Sequence, residues 1–80
     1  MFFAYVLRSE RNNRLYYGST NNIERRLIEH NAGQTKSLRF VRPLTLVYFE
    51  EFSTLSEARK REKFFKSGKG REFVRTLLTG

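Results

Sequence analysis

Phe2-Phe3-Ala4-Tyr5-Val6-Leu7-Arg8-Ser9, followed after Glu10-Arg11-Asn12-Asn13 by Arg14-Leu15-Tyr16-Tyr17-Gly18-Ser19, is the stretch that decides the fold. The first run is apolar almost throughout and rich in aromatic and branched residues, which predicts a central strand covered on both faces. The second reads as a shorter strand, and the polar, turn-prone tetrapeptide between them makes the pair an antiparallel hairpin. If Ser9 pairs with Arg14, Tyr5 stands opposite Gly18 and Leu7 opposite Tyr16. Tyr5 and Tyr16 then share one face as diagonal neighbours, roughly 7 Å apart at the backbone and close enough to converge on one ligand. Gly18 is expected to leave the space beside Tyr5 open to a backbone or a phosphate.

Downstream, Asn21-Asn22 offers N-caps for a helix from about Ile23 to Ala32, with Gly33 suited to a left-handed conformation just beyond it. Its inward stripe at helical spacing is Ile23, Arg26, Leu27 and His30, so two polar residues interrupt an otherwise buried face. Residues 34–42 form a cationic loop, expected to stay mobile until a partner orders it. Leu44 to Glu50 alternates as a third strand, with Leu44, Leu46 and Tyr48 on one face and Thr45, Val47 and Phe49 on the other. Thr54-Leu55-Ser56-Glu57 matches a capping box for a helix to about Lys66. On it Leu55, Ala58, Glu62 and Phe65 form a stripe, while Lys60, Arg61, Lys63 and Lys66 read as an exposed cationic face. Gly68 and Gly70 are expected to break the chain before a last helix, roughly Arg71 to Leu78, that presents Phe73, Val74, Leu77 and Leu78. The element order is β-β-α-β-α-α, an α/β (α+β) pattern, and 80 residues with 39% hydrophobic content suit a single domain over 1–80.

Charge narrows the function. Sixteen Lys and Arg against eight acidic residues give a formal net charge of +8, more than colloidal stability requires. The basic residues favour Arg, whose planar fork matches phosphate, so nucleic acid is the expected partner, with DNA ahead of RNA. No apolar run approaches a membrane span, and the N-terminus has no cationic region ahead of its apolar stretch, so no membrane association and a cytoplasmic location are expected. With no Cys and one His, thiolate and His-rich metal clusters are excluded.

Periodicity aims Tyr5, Tyr16, Arg26 and Glu62 at one interior, with His30 one turn beyond Arg26. Arg26 and Glu62 must either pair or line a wet cleft, because an unpaired buried charge is expensive. Phosphodiester hydrolysis needs a cation for the phosphate, a group that orients or deprotonates water, and a carboxylate for a divalent metal. The constellation holds one of each. All eight acidic residues are Glu, which disfavours a carboxylate-rich two-metal centre, whereas Mg²⁺ (or Mn²⁺) with most of its waters retained suits one carboxylate.

Phe3-Ala4-Tyr5, Tyr16-Tyr17-Gly18, Asn22-Ile23-Glu24-Arg25-Arg26-Leu27-Ile28-Glu29-His30-Asn31 and Ala58-Arg59-Lys60-Arg61-Glu62-Lys63 together resemble the signatures of the GIY-YIG nuclease superfamily, in particular its small stand-alone bacterial members. Position 3 is Phe where the family has Gly, position 4 Ala for Ile, and position 17 Tyr for Ile. The resemblance implies a three-stranded antiparallel sheet flanked by helices, Tyr5 and Tyr16 at the attacking water, Arg26 on the phosphate and Glu62 on Mg²⁺. His30 is expected to share the proton-handling role or hold the leaving-group side. Lys36, Arg39, Arg42, Lys63 and Lys66 are candidate nucleic-acid contacts, and substrate selectivity is expected from a partner protein or from substrate shape. The expected activity is a metal-dependent endonuclease. The alternative is a non-catalytic nucleic-acid-binding module.

Overall fold

The computed structural model describes residues 1–79. Strands β1 (Phe2–Ser9), β2 (Leu15–Thr20) and β3 (Leu44–Phe52) form an antiparallel sheet in the order β2-β1-β3. Helix α1 (Ile23–Asn31) and a 3₁₀ helix (Lys36–Val41) precede β3; α2 (Leu55–Lys66) and α3 (Gly68–Thr79) follow it. No helix among the described residues is long and apolar enough to cross a membrane.

The hairpin has the expected register, Tyr5 opposite Gly18 and Leu7 opposite Tyr16. Ser9 sets the loop: its Oγ accepts from the Arg11 and Asn12 N–H groups, and Asn13 takes the left-handed conformation (φ 62°) that Asn tolerates. Being central, β1 is buried on both sides. Tyr5 and Leu7 join Leu44 in one cluster, against which Tyr16, Ile23, Leu27, Leu38 and Val41 pack. Ala4 and Val6 join Phe65 and Val74 in the other, with Tyr17, Phe64 and Phe73 around them. One core thus lies under α1 and the 3₁₀ helix, the other under α2 and α3.

Several expectations are corrected. The alternation of β3 does not run through: the β1–β3 register shifts between Val6, opposite Tyr48, and Leu7, opposite Leu46. The extra residue, Val47, is a bulge that moves Tyr48 away from the face of Leu44 and Leu46 to the α2–α3 core. Within residues 34–42, read as an irregular loop, Lys36–Val41 form a 3₁₀ helix. Leu38 and Val41 pack on the first core, Ser9 Oγ donates to the Val41 carbonyl (2.6 Å), Arg39 donates to the Gly33 carbonyl and Arg42 to the Arg39 carbonyl. Gly33, at φ 81°, leaves room for the Arg42 guanidinium where a Cβ would collide with it. Arg61, finally, is no part of an exposed face. It donates to Glu50 (2.7 and 3.2 Å) and lies 4.6 Å from the Phe64 ring centroid and 4.9 Å from that of Phe73. Burial would raise the Glu50 pKa, but hydrogen bonds from Arg61 and Tyr48 outweigh it and hold the carboxyl below its ordinary value.

The break between α2 and α3 is also shorter than expected. It falls at Ser67, whose Oγ accepts from the Gly70 N–H (3.1 Å), and both Gly68 and Gly70 lie within α3. Gly70 is there because a Cβ would overlap the Phe64 carbonyl. Gly→Ala inside a helix ordinarily stabilises by roughly 0.5–1 kcal/mol. Gly70→Ala should instead destabilise by about 1–3 kcal/mol, because the backbone it meets cannot give way. A urea midpoint at or above that of the parent chain would refute this.

Candidate active site

β2 is an edge strand, and its neighbours place functional side chains on both of its faces. Tyr16 and Gly18 face α1 together with Tyr5. Ser19, opposite Ala4, faces α2. A cleft of about 1180 Å³ wraps this edge, lined from the first side by Tyr5, Tyr16, Arg26 and His30 and from the second by Ser19 and Glu62. The sequence-predicted residues therefore do share a cleft, but Glu62 enters it from the opposite face of the sheet.

Asn22 caps α1 by accepting from the Arg25 N–H (3.0 Å), which fixes the phase of the helix and turns Arg26 and His30 toward the sheet. His30 is 3% exposed. Its Nε2 lies 3.0 Å from the Tyr5 hydroxyl and its Nδ1 2.7 Å from Thr35 Oγ1. Either neutral tautomer satisfies both contacts; in the one with Nδ1–H donating to Thr35, Nε2 accepts from the Tyr5 O–H and the Tyr5 oxygen keeps its lone pairs for the cleft. Burial, reinforced by the Arg26 charge, lowers the His30 pKa and keeps the imidazole neutral. Burial also raises the Tyr5 pKa, although the guanidinium of Arg26 pulls it the other way. Gly18 has no space to spare: the Tyr5 phenol occupies the position where a Cβ would stand, so the opening expected beside Tyr5 is filled by Tyr5 itself.

Arg26 pairs with Glu29 (3.3 Å), not with Glu62, and is partly exposed to the cleft. Burial alone would lower its pKa, but Tyr5 and Glu29 more than compensate and it stays protonated. Tyr16 accepts from Asn12 Nδ2 at 3.0 Å, which leaves its own O–H for a ligand. Glu62 Oε1 accepts from Ser19 Oγ and Oε2 from Lys66 Nζ, both at 2.7 Å. Among the described residues no group of three His or Glu side chains is gathered to cage a metal. The donor set is one carboxylate held by a hydroxyl and paired with Lys66, so it would suit an ion that keeps a largely aqueous shell and displaces the ammonium.

Of the expected nucleic-acid contacts, Lys66 lines the cleft. Arg39 and Arg42 are held by main-chain carbonyls, while Lys36 and Lys63 are exposed and outside the cleft lining. Sequence reasoning missed Thr35 and Ser19. Thr35 lies five residues past His30 with no periodic signal, but the position of Ser19 opposite Ala4 follows from the hairpin register.

The neutral His30 carries a testable pH signature. Its folded pKa lies below the ordinary 6.5, so the unfolded chain takes up this proton first. Stability should be insensitive to His30 above about pH 6.5, fall as the pH drops below it, and level off beneath the folded pKa. Thermal melts of His30→Gln should lack this decline above the carboxylate range; an unchanged slope would count against a buried neutral imidazole.

A family model described as the GIY-YIG catalytic domain matches residues 1–74. The chain is 42% identical over 66 residues to a UPF0213 protein of Staphylococcus haemolyticus, covering 81% of this chain and 79% of that protein. It is 45% identical over 65 residues to a UPF0213 protein of Listeria welshimeri (80% and 71% covered) and 49% over 65 residues to one of Bacillus licheniformis (80% and 66%). No solved structure matches it significantly. With the paired tyrosines, the helical arginine and the α2 glutamate in one cleft, and a family model spanning nearly the whole chain, this protein belongs to the GIY-YIG nuclease family.

Proposed function

We propose that the chain is a divalent-metal-dependent endonuclease that hydrolyses a phosphodiester of DNA or RNA in the cleft around β2, by a one-metal mechanism. The observation that carries this reading is the Tyr5–His30–Thr35 chain of hydrogen bonds ending beside Arg26. In this reading Arg26, always protonated, holds the non-bridging oxygens of the reacting phosphate. Tyr16 orients the attacking water. As that water adds to phosphorus, the Tyr5 oxygen takes its proton while the phenol passes its own to His30 Nε2, so no free phenolate has to form. The departing oxygen takes a proton from cleft water, and His30, whose pKa is depressed, returns one to solvent. Glu62, oriented by Ser19, would hold Mg²⁺ or Mn²⁺, which when bound would neutralise charge developing on the phosphoryl and leaving oxygens.

A second reading, a nucleic-acid-binding module without turnover, is favoured by one contact: Lys66 already neutralises the carboxylate that a metal needs. Incubating the chain with single-stranded, duplex, flapped and branched substrates in Mg²⁺ or Mn²⁺ separates the two. Metal-dependent products are expected, with Tyr5→Phe slower by roughly 10²–10⁴-fold and Tyr16→Phe affected less. Absence of cutting on every substrate in both metals would leave the binding module.

A further inference from the structure

The cleft has a second cationic wall that the proposed chemistry does not use. Arg59 on α2, and Arg71 and Arg75 on α3, line it beside Tyr17. All three arginines are exposed, and no salt bridge engages them among the described residues. Arg71 and Arg75 are four residues apart, hence on one face of α3 and about 6 Å apart along its axis. Like charges at this spacing repel. The first turn of α3 has no acidic residue, and Lys69 and Arg71 near its start oppose the helix dipole. Glu72, three residues from both Lys69 and Arg75, makes no ion pair with either among the described residues, and a polyanion lying along α3 would relieve these repulsions.

Tyr17 links the two sides. It stands on β2 between Tyr16 and Gly18 but, opposite Val6, faces the α2–α3 core. Its ring packs 6.1 Å from that of Phe65. Burial raises the pKa of its phenol, while Arg71 and Arg75 are near enough to act against that rise.

We propose that Tyr17, Arg59, Arg71 and Arg75 form the track for the nucleic-acid strand flanking the scissile phosphate, so that a substrate bends around the edge of β2. The reacting phosphate then lies at Arg26, and the flanking phosphates lie on the α2–α3 side. This rests on the nucleic-acid substrate of the proposed function but not on turnover, since the track would serve a binding module equally.

The test is binding of the full chain to a labelled oligonucleotide, single-stranded and duplex, by fluorescence anisotropy in EDTA over a series of KCl concentrations. Arg71→Ala/Arg75→Ala should bind on the order of 10-fold more weakly at low salt. Its plot of log affinity against log salt should be shallower by about 1.8 on duplex or about 1.4 on single strands, two phosphate contacts in each case. Arg71→Lys/Arg75→Lys should restore most of the slope, which separates lost charge from lost folding. Lys36→Ala/Lys63→Ala, outside the cleft lining, should change the slope less than half as much. An α3 double variant with the parent slope, or a Lys36/Lys63 variant that loses as much, overturns the track while leaving the nucleic-acid reading intact. A parent chain that binds neither oligonucleotide overturns both.

Discussion

Glu62→Ala is expected to lower the rate of metal-dependent cleavage by at least ~10³-fold, equivalent to roughly 4 kcal/mol of transition-state stabilisation. No second carboxylate stands by to replace it: among the described residues, Glu62 is the sole acidic side chain lining the cleft. The cost to folding should be small, about 1 kcal/mol or less. The ion pair to Lys66 joins a carboxylate 21% exposed to an ammonium 52% exposed and is screened by solvent, and the other loss is the hydrogen bond from Ser19. Titration with Mn²⁺ gives a readout independent of turnover: the parent should bind and Glu62→Ala should not. Cleavage that survives the substitution with an unchanged metal requirement would overturn the proposed role of Glu62 as a metal ligand.

Phe65→Ala should have the largest effect on stability. Phe65 is fully buried, with the rings of Tyr17, Tyr48 and Phe64 about it and the guanidinium of Arg61 5.3 Å from its centroid. Truncation leaves a cavity where α2 meets the sheet, at a cost of about 3–5 kcal/mol. A domain of this length has on the order of 4–12 kcal/mol in total, so the variant should melt far below the parent or fail to fold. Because Phe65 joins α2 to β2 through Tyr17, the damage should also move Glu62 relative to Ser19. Urea unfolding measures it, and a loss below about 1 kcal/mol would contradict the packing described for this core.

The parts of this architecture that are legible in the sequence follow from local rules. Loop parity fixed the opposition of Tyr5 to Gly18, and Asn22 with Gly33 bracketed α1 through its cap and its left-handed end. The Val47 bulge was not legible, because the apolar alternation of β3 continues through it and only pairing with β1 reveals the extra residue. Gly70 misled for a related reason. Its missing side chain reads as a helix breaker, yet it serves close contact with the Phe64 carbonyl, a tertiary constraint. At the site, helical spacing places Arg26, His30 and Glu62 among the apolar residues of α1 and α2 that pack on the sheet, and the structure puts all three in the cleft lining. Spacing could not tell that Glu62 reaches the cleft around the sheet edge, or that Thr35 closes a hydrogen-bond chain with His30, because both depend on how separate elements dock. The 3₁₀ helix is not legible in the sequence because the groups that anchor it, Ser9 and Gly33, lie outside it.

The position of β2 has one more consequence. An edge strand exposes unpaired backbone groups onto which a second copy of the chain could add a strand. Here that edge lies within a cleft lined by Arg8, Arg14, Arg59 and Arg71, among other cations, so two such edges approaching each other meet like charge before any backbone pairing begins. The arginines that would grip a nucleic-acid strand are thus also gatekeepers against self-association. Stripping them to weaken nucleic-acid binding should bring with it a tendency to aggregate, greatest at high salt, where the remaining repulsion is screened.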